Sequence, residues 1–197
     1  MSPPTPLYPA PARRRHRLPA LALLAAGALT GVAHAGLRVD RLIVTRQHGV
    51  YYLNGRLHIA PGHTVRRALL HGIPVTLSLK IDIVGARTFL FWGGTVARID
   101  QRYRIAYHTV LGRYVVRDLE TGVRTSYPTF GRVVLALQHP HGIPLVDTTL
   151  LTPREHYRVR ARINLHVDDI PHALRWLAGL WTHWESSSPW TSARLAP

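Results

Sequence analysis

Residues Tyr157–Val167, YRVRARINLHV, decide the fold, because apolar and polar side chains alternate through all eleven positions. Only a β-strand places every second side chain on one face, so this segment has one apolar face and one polar face. Eleven residues in a strand span about 36 Å at roughly 3.3 Å per residue. A strand of that length is expected to pair with others in a sheet, and the apolar face of that sheet is expected to be buried.

The same alternation recurs in other parts of the chain. Val75–Ile83 alternates without a break, and Leu37–Gln47 with Val50–Ile59 predicts a hairpin that turns at His48-Gly49. Asn54-Gly55 is an alternative tight turn, but the alternation continues in phase through it and favours an unbroken strand. Further strands are predicted at Thr95–Ile99, Tyr103–Val110, Arg113–Leu119, Val123–Tyr127 and Leu145–Leu151.

Three short helices are predicted between these strands. Pro61–Leu70 has apolar residues at helical spacing, and Phe130–Gln138 follows Thr129, a residue type that caps helices. The third begins at Asp168 or Asp169. Strands outnumber helices, the connections are short and no regular strand–helix–strand pattern occurs. The chain is therefore predicted to be mainly β, an antiparallel β-sandwich with two or three short helices.

The tetrapeptide His-Gly-Ile-Pro occurs twice, at residues 71–74 and 141–144, each time between a predicted helix and a strand. We interpret it as a repeated helix stop, in which glycine ends the helix and proline starts the extended chain. The C-terminal segment contains Trp181, Trp184 and Trp190 and is predicted as either a final strand or an irregular tail.

Residues 1–35 have the features of a secretory signal peptide. A disordered proline-rich start and four arginines precede the charge-free run Leu18–Val32, and Ala33-His34-Ala35 predicts cleavage before Gly36. The run is about fifteen residues long, shorter than the roughly 20 of a membrane-spanning helix. An uncleaved anchor is the alternative. Residues 36–197 are predicted to form a single β-rich domain without a transmembrane span.

Composition excludes some kinds of chemistry and favours an anionic partner. The chain has no cysteine, which excludes disulfides, cysteine nucleophiles and thiolate metal sites. Without the four signal arginines, 21 basic residues remain against 10 acidic ones, a net charge of +11. Such a charge favours anionic lipids or glycans, and export argues against nucleic acid. Arginines spread over a solvated surface are the alternative.

The candidate anion-binding residues are Arg158, Arg160 and Arg162, which share the polar face of the opening strand. They are expected to lie about 7 Å apart, close enough to repel one another unless an anion is nearby. Two kinds of anion fit. The first is a carboxylate on a neighbouring strand, at Asp82, Asp100 or Asp118, and the second is an external ligand.

Catalytic signatures are weak. Asp168-Asp169 is explained as a helix cap, and Ser186–Ser188 lacks the glycine-flanked turn of a nucleophile. His139 and His141 form the tightest histidine pair, which His71 and His156 would need to join to make a metal site. We therefore predict no catalytic residue, metal or cofactor and keep a histidine metal-site enzyme as the third hypothesis.

Several stretches in a fixed order resemble a bacterial family, the domain-of-unknown-function family 4390, exported proteins sometimes described as proline-rich signal peptide proteins. The stretches are Ala68–Pro74, Tyr103–His108 followed by Arg113–Val116, Tyr157–Leu165 leading to Ile170-Pro171, and the tryptophans Trp184 and Trp190. The resemblance spans nearly all of residues 36–197. It implies an exported domain without an established activity and supplies no catalytic residues.

The first functional hypothesis is an exported, non-enzymatic binding or accessory domain of the cell envelope, in the periplasm or at the membrane surface. Its partner is expected to be an envelope protein or an anionic lipid or glycan. The second hypothesis is more specific: the basic sheet face binds anionic envelope components.

Overall fold

The computed structural model describes residues 36–85, 94–153, 155–167 and 185–195, which form two antiparallel sheets. In the smaller sheet, β1 (Gly36–Gln47), β2 (Val50–Ala60) and β7 (Ile143–Asp147) are adjacent in that order. The larger sheet contains β3 (Val75–Gly85), β4 (Thr95–His108), β5 (Arg113–Asp118), β6 (Arg124–Tyr127), β8 (Tyr157–Val167), β9 (Glu185–Ser187) and β10 (Thr191–Arg194). Its order is β10-β8-β3-β4-β5-β6, and β9 also pairs with β8.

The pairing of β3 with β8 forms the centre of the larger sheet. It runs without a shift from Val75 opposite Val167 to Gly85 opposite Tyr157. Directly opposite residues lie on the same face of a sheet, so the apolar sets of the two strands fall on one side. This inner face is buried and consists of Val75, Leu77, Leu79, Ile81, Ile83, Tyr157, Val159, Ala161, Ile163 and Leu165.

The smaller sheet and two helices complete the same core. Leu37, Val39, Leu53, Leu57 and Ile59 from β1 and β2 are buried in it. Helix α1 (His63–Leu70) adds Val65, Ala68 and Leu69, and α2 (Phe130–Leu137) adds Val133. The prediction of a mainly β, antiparallel sandwich-like fold with short helices is therefore confirmed.

The first hairpin forms as predicted. His48 and Gly49 both have positive φ, 49° and 80°, as the two central residues of a tight type I′ turn require. β2 continues through Asn54 and Gly55, which pair with Ile43 and Leu42 of β1. The alternative turn at Asn54-Gly55 is therefore wrong, because β2 stays paired with β1 on both sides of it, with a bulge in β1 between Val39 and Arg41.

The two His-Gly-Ile-Pro copies have different roles. After α1, Gly72 has a φ of 76° and the Ile73 amide donates to the Ala68 carbonyl, which closes the helix end. The second copy does not stop a helix, because α2 ends at Leu137. Between α2 and the second tetrapeptide, the Gln138 carbonyl accepts a hydrogen bond from the Leu57 amide of β2 at 2.8 Å. The Pro140 carbonyl accepts one from the Gly55 amide of β2 at 3.0 Å. These two bonds hold residues 138–140 against β2, so the helix has already ended when the tetrapeptide begins.

Some predicted boundaries are wrong. β4 is one continuous strand where two were predicted, and β7 begins at Ile143 and ends at Asp147, where a 3-10 helix follows. The Asp147 side chain accepts the Thr149 amide and starts that helix. The end of the chain forms strands β9 and β10 rather than an irregular tail.

Three predictions lie outside the described residues: the signal peptide, the helix at Asp168 or Asp169, and the C-terminal segment at Trp181 and Trp184. Within the described ranges, no helix has the length and apolar character needed to cross a membrane.

Leu53→Ala tests the contribution of the smaller sheet to the core. Leu53 is fully buried, so its truncation should lower the free energy of unfolding by about 2–5 kcal/mol. Leu150→Ala is the matched control, because Leu150 is 71% exposed and its loss should change stability by less than about 0.5 kcal/mol. Denaturant unfolding measures both, and equal effects would contradict the described packing.

Candidate anion-binding face

The outer face of the larger sheet gathers most of its charged residues, because the inner face is apolar and the strands pair in register. We call this surface the basic face. Its cationic residues are Lys80, Arg98, Arg102, Arg104, Arg113, Arg117, Arg124, Arg158, Arg160, Arg162 and Arg194. The carboxylates in the same strand positions are Asp82, Asp100 and Glu185. The face therefore has a large surplus of positive charge.

Asp82 is the buried anion of the basic face, with only 4% of its surface exposed. One carboxylate oxygen accepts from Arg160 Nε at 3.1 Å and Nη2 at 2.8 Å, and the other accepts from Arg98 Nε at 3.1 Å. A buried carboxylate needs such partners, since burying an unpaired charge is strongly unfavourable. The cross-strand alternative thus accounts for Arg160.

The other two arginines of the predicted row have different surroundings. Arg162 lies opposite Lys80, and its buried Nε has no hydrogen-bond partner among the described residues. The guanidinium carbons of Arg160 and Arg162 lie 4.7 and 4.8 Å from the ring centroid of Trp190, within cation–π range. Arg158 is exposed and lies opposite Val84 and Arg194, so neither strand neighbour offers it a carboxylate.

A groove of about 630 Å³ opens on the basic face beside this row. Three adjacent strands contribute most of its lining: Ser78 and Lys80 from β3, Arg102 and Arg104 from β4, and Asn164 and His166 from β8. We call it the Asn164 groove. Asp100 and Glu185 also line it, so it presents cations together with hydrogen-bond acceptors.

Asn164 is the most unusual side chain in the groove. It is only 3% exposed, and its Oδ1 has no hydrogen-bond partner within the described part of the chain. A buried acceptor without a donor costs about 1–3 kcal/mol. Its neighbour Ser78 is also buried but donates a hydrogen bond to Asp100. Sequence analysis missed Asn164, because an amide in the polar set of an alternating strand is expected to face solvent.

A second cavity, of about 450 Å³, lies against the inner faces of both sheets. Leu57, Leu77 and Leu79 line its apolar part, and Tyr103, Asp118, His139 and His141 also line it. Burial and the charge of Asp118 raise the pKa of Tyr103 above its ordinary value of 10.0.

The histidines do not gather as the third hypothesis requires. His139 and His141 line the second cavity, and neither His71 nor His156 lines it. Across residues 36–85, 94–153, 155–167 and 185–195, no group of three or more His, Cys, Asp or Glu side chains is placed to hold a metal ion. The histidine cluster that the third hypothesis requires is therefore not formed among those residues.

Comparison with known proteins identifies a family. A family model described as "Domain of unknown function (DUF4390)" matches residues 34–194, nearly the whole described region. No curated protein and no solved structure matches the chain significantly.

Asp82→Asn tests the structural role of the buried carboxylate. The amide keeps the shape but loses the charge that holds Arg98 and Arg160, so stability should fall by about 1.5–3 kcal/mol, the range for hydrogen bonds to charged groups. Asp40→Asn is the control, because its pair with Arg38 is exposed and worth about 0–1 kcal/mol. Thermal and denaturant unfolding compare the two, and an unaffected Asp82 variant would contradict this role.

Asp118→Asn tests the electrostatics of the second cavity. Removing the carboxylate charge should lower the pKa of Tyr103, because that charge disfavours the tyrosinate. Burial is the larger cause, so the pKa should still lie above 10.0. Absorbance titration of the variant against the same protein carrying Tyr103→Phe isolates this group. An unchanged pKa would show that Asp118 does not act on it.

Proposed function

This chain belongs to the domain-of-unknown-function family DUF4390, and we propose that it is an exported, non-enzymatic binding domain of the bacterial cell envelope. Its basic face contacts anionic components there. The observation that carries the proposal is the one-sided arrangement of charge, in which one face of the larger sheet holds cations from six strands.

Internal pairing neutralises only part of this charge. Asp82 pairs with Arg98 and Arg160, and Glu120 pairs with Arg102 at 3.0 Å. Arg117, Arg124 and Arg158 are exposed and form no ion pair with a described carboxylate. Like charges on adjacent strands repel, so an external anion on this face is favourable. That balance supports a binding surface rather than a purely structural one.

The signal features of residues 1–35 support export, with the domain working in the periplasm or at the membrane surface. The absence of cysteine is compatible with an oxidising compartment, because no free thiol needs protection. An anionic lipid or glycan, or an acidic envelope protein, has the charge that the basic face attracts.

Replacing Arg117, Arg124 and Arg158 together by glutamine tests the proposal. Each cation near an anionic membrane surface contributes about 1 kcal/mol, so affinity for phosphatidylglycerol vesicles should fall by up to about 100-fold at low salt. Added salt should weaken wild-type binding as well, because exposed charges are screened. Vesicle co-sedimentation over a lipid titration gives the affinities.

The matched control replaces Arg41, Arg46 and Arg56, three exposed arginines of the smaller sheet, by glutamine. It changes the net charge by the same amount on a different surface. It should leave vesicle affinity within about threefold of wild type, because the removed charges lie off the basic face. Equal losses in both variants would show that net charge alone drives binding, and no loss in either would reject the basic face.

A further inference from the structure

We infer that the Asn164 groove is the specific site on the basic face and that its ligand is an anionic saccharide, a sugar carrying a carboxylate or phosphate group. The inference rests on the proposed function and deepens it by naming the site and the ligand class. Three observations carry it: the cations that line the groove, the unpartnered buried amide, and the carboxylates beside them.

The cations supply the attraction for an anionic group. Lys80, Arg102 and Arg104 come from neighbouring strands and line one groove. Lys80 lies opposite Arg162 on β8, so positive charge continues from the groove into the predicted arginine row. Arginine guanidinium groups bind carboxylate and phosphate oxygens through paired hydrogen bonds, which orients such a ligand.

Asn164 adds a requirement that a simple anion does not meet. Its Oδ1 is an acceptor that is buried without a donor from the described residues, and a ligand hydroxyl supplies that donor. The same amide offers N–H donors, so it can hold a group that both donates and accepts. Asn164 lines the groove and its buried oxygen lacks a donor, and a ligand with hydroxyl groups explains both observations.

Asp100 and Glu185 favour the same ligand class. Their carboxylates line the groove, where they repel a bare anion but accept hydrogen bonds from hydroxyl groups. A sugar with one anionic group places its charge on the cations and its hydroxyls on Asn164 and the carboxylates. The volume of about 630 Å³ lies within the ordinary range for small-ligand sites and has room for more than one sugar ring.

The test is calorimetric titration of the full chain with galacturonate trimer and with glucose 6-phosphate, which separate a carboxylate source from a phosphate source. Maltotriose and inorganic phosphate are the comparison ligands, because the first lacks the charge and the second lacks the sugar. At least one anionic sugar should bind at least tenfold more tightly than both comparison ligands. Either comparison ligand binding as tightly as the tighter of the two anionic sugars, or no binding of either anionic sugar, would overturn the inference.

Two groove variants and one control locate the binding. Asn164→Leu keeps the size but removes the amide, and should weaken binding of the preferred sugar at least tenfold. Arg102→Gln replaces an exposed groove cation and keeps the test valid if the leucine variant does not fold. Arg113→Gln removes a cation of the basic face that does not line the groove, and should change affinity less than twofold. Unchanged binding in a folded groove variant, or an equal loss in Arg113→Gln, would reject the site.

The outcomes separate this inference from the proposed function. If the basic-face variant loses vesicle binding while Asn164→Leu and Arg102→Gln bind the anionic sugar like wild type, the groove assignment fails and the proposed function stands. If vesicle binding does not depend on the basic face but sugar binding depends on Asn164, the groove stands and the broad electrostatic surface fails.

Discussion

The unbroken pairing of β3 with β8 imposes one constraint on the rest of the molecule. Because side chains alternate along paired strands, burying one apolar set commits every remaining side chain of these strands to the opposite face. β4 pairs in the same phase along the other edge of β3. The polar residues of three long strands therefore share one surface, and most of the charged ones are cations.

The cations on that surface repel one another, and contacts within the fold offset part of this repulsion. Asp82 lies on the central strand, between Arg98 on one neighbour and Arg160 on the other. Trp190 lies against Arg160 and Arg162, where its ring covers two guanidinium groups. These contacts stabilise the middle of the basic face and leave its outer strands with surplus charge. Thr76, Ser78 and Asn164 are also buried on this face.

The architecture follows from local sequence patterns to a large extent. The bounds of β8 agree with the predicted strand, and Thr129 caps α2 by accepting the Arg132 amide. The prediction for the second His-Gly-Ile-Pro copy was wrong, because long-range hydrogen bonds determine its structure. The second His-Gly-Ile-Pro copy follows a loop that is held by β2, and its isoleucine and proline belong to β7 rather than to a helix stop. No local pattern reveals a partner more than eighty residues away.

The alternation of apolar and polar residues can be read from the sequence, and with it that the strand Tyr157–Val167 has one apolar face and one face that carries arginines. A period of two is a property of adjacent residues, so it needs no knowledge of the fold. The tertiary structure decided which of the three arginines has a carboxylate, because Asp82 and Arg160 are 78 residues apart and meet only through strand register. It also decided that Asn164 is buried without a donor, because burial depends on the neighbours that the sheet brings together.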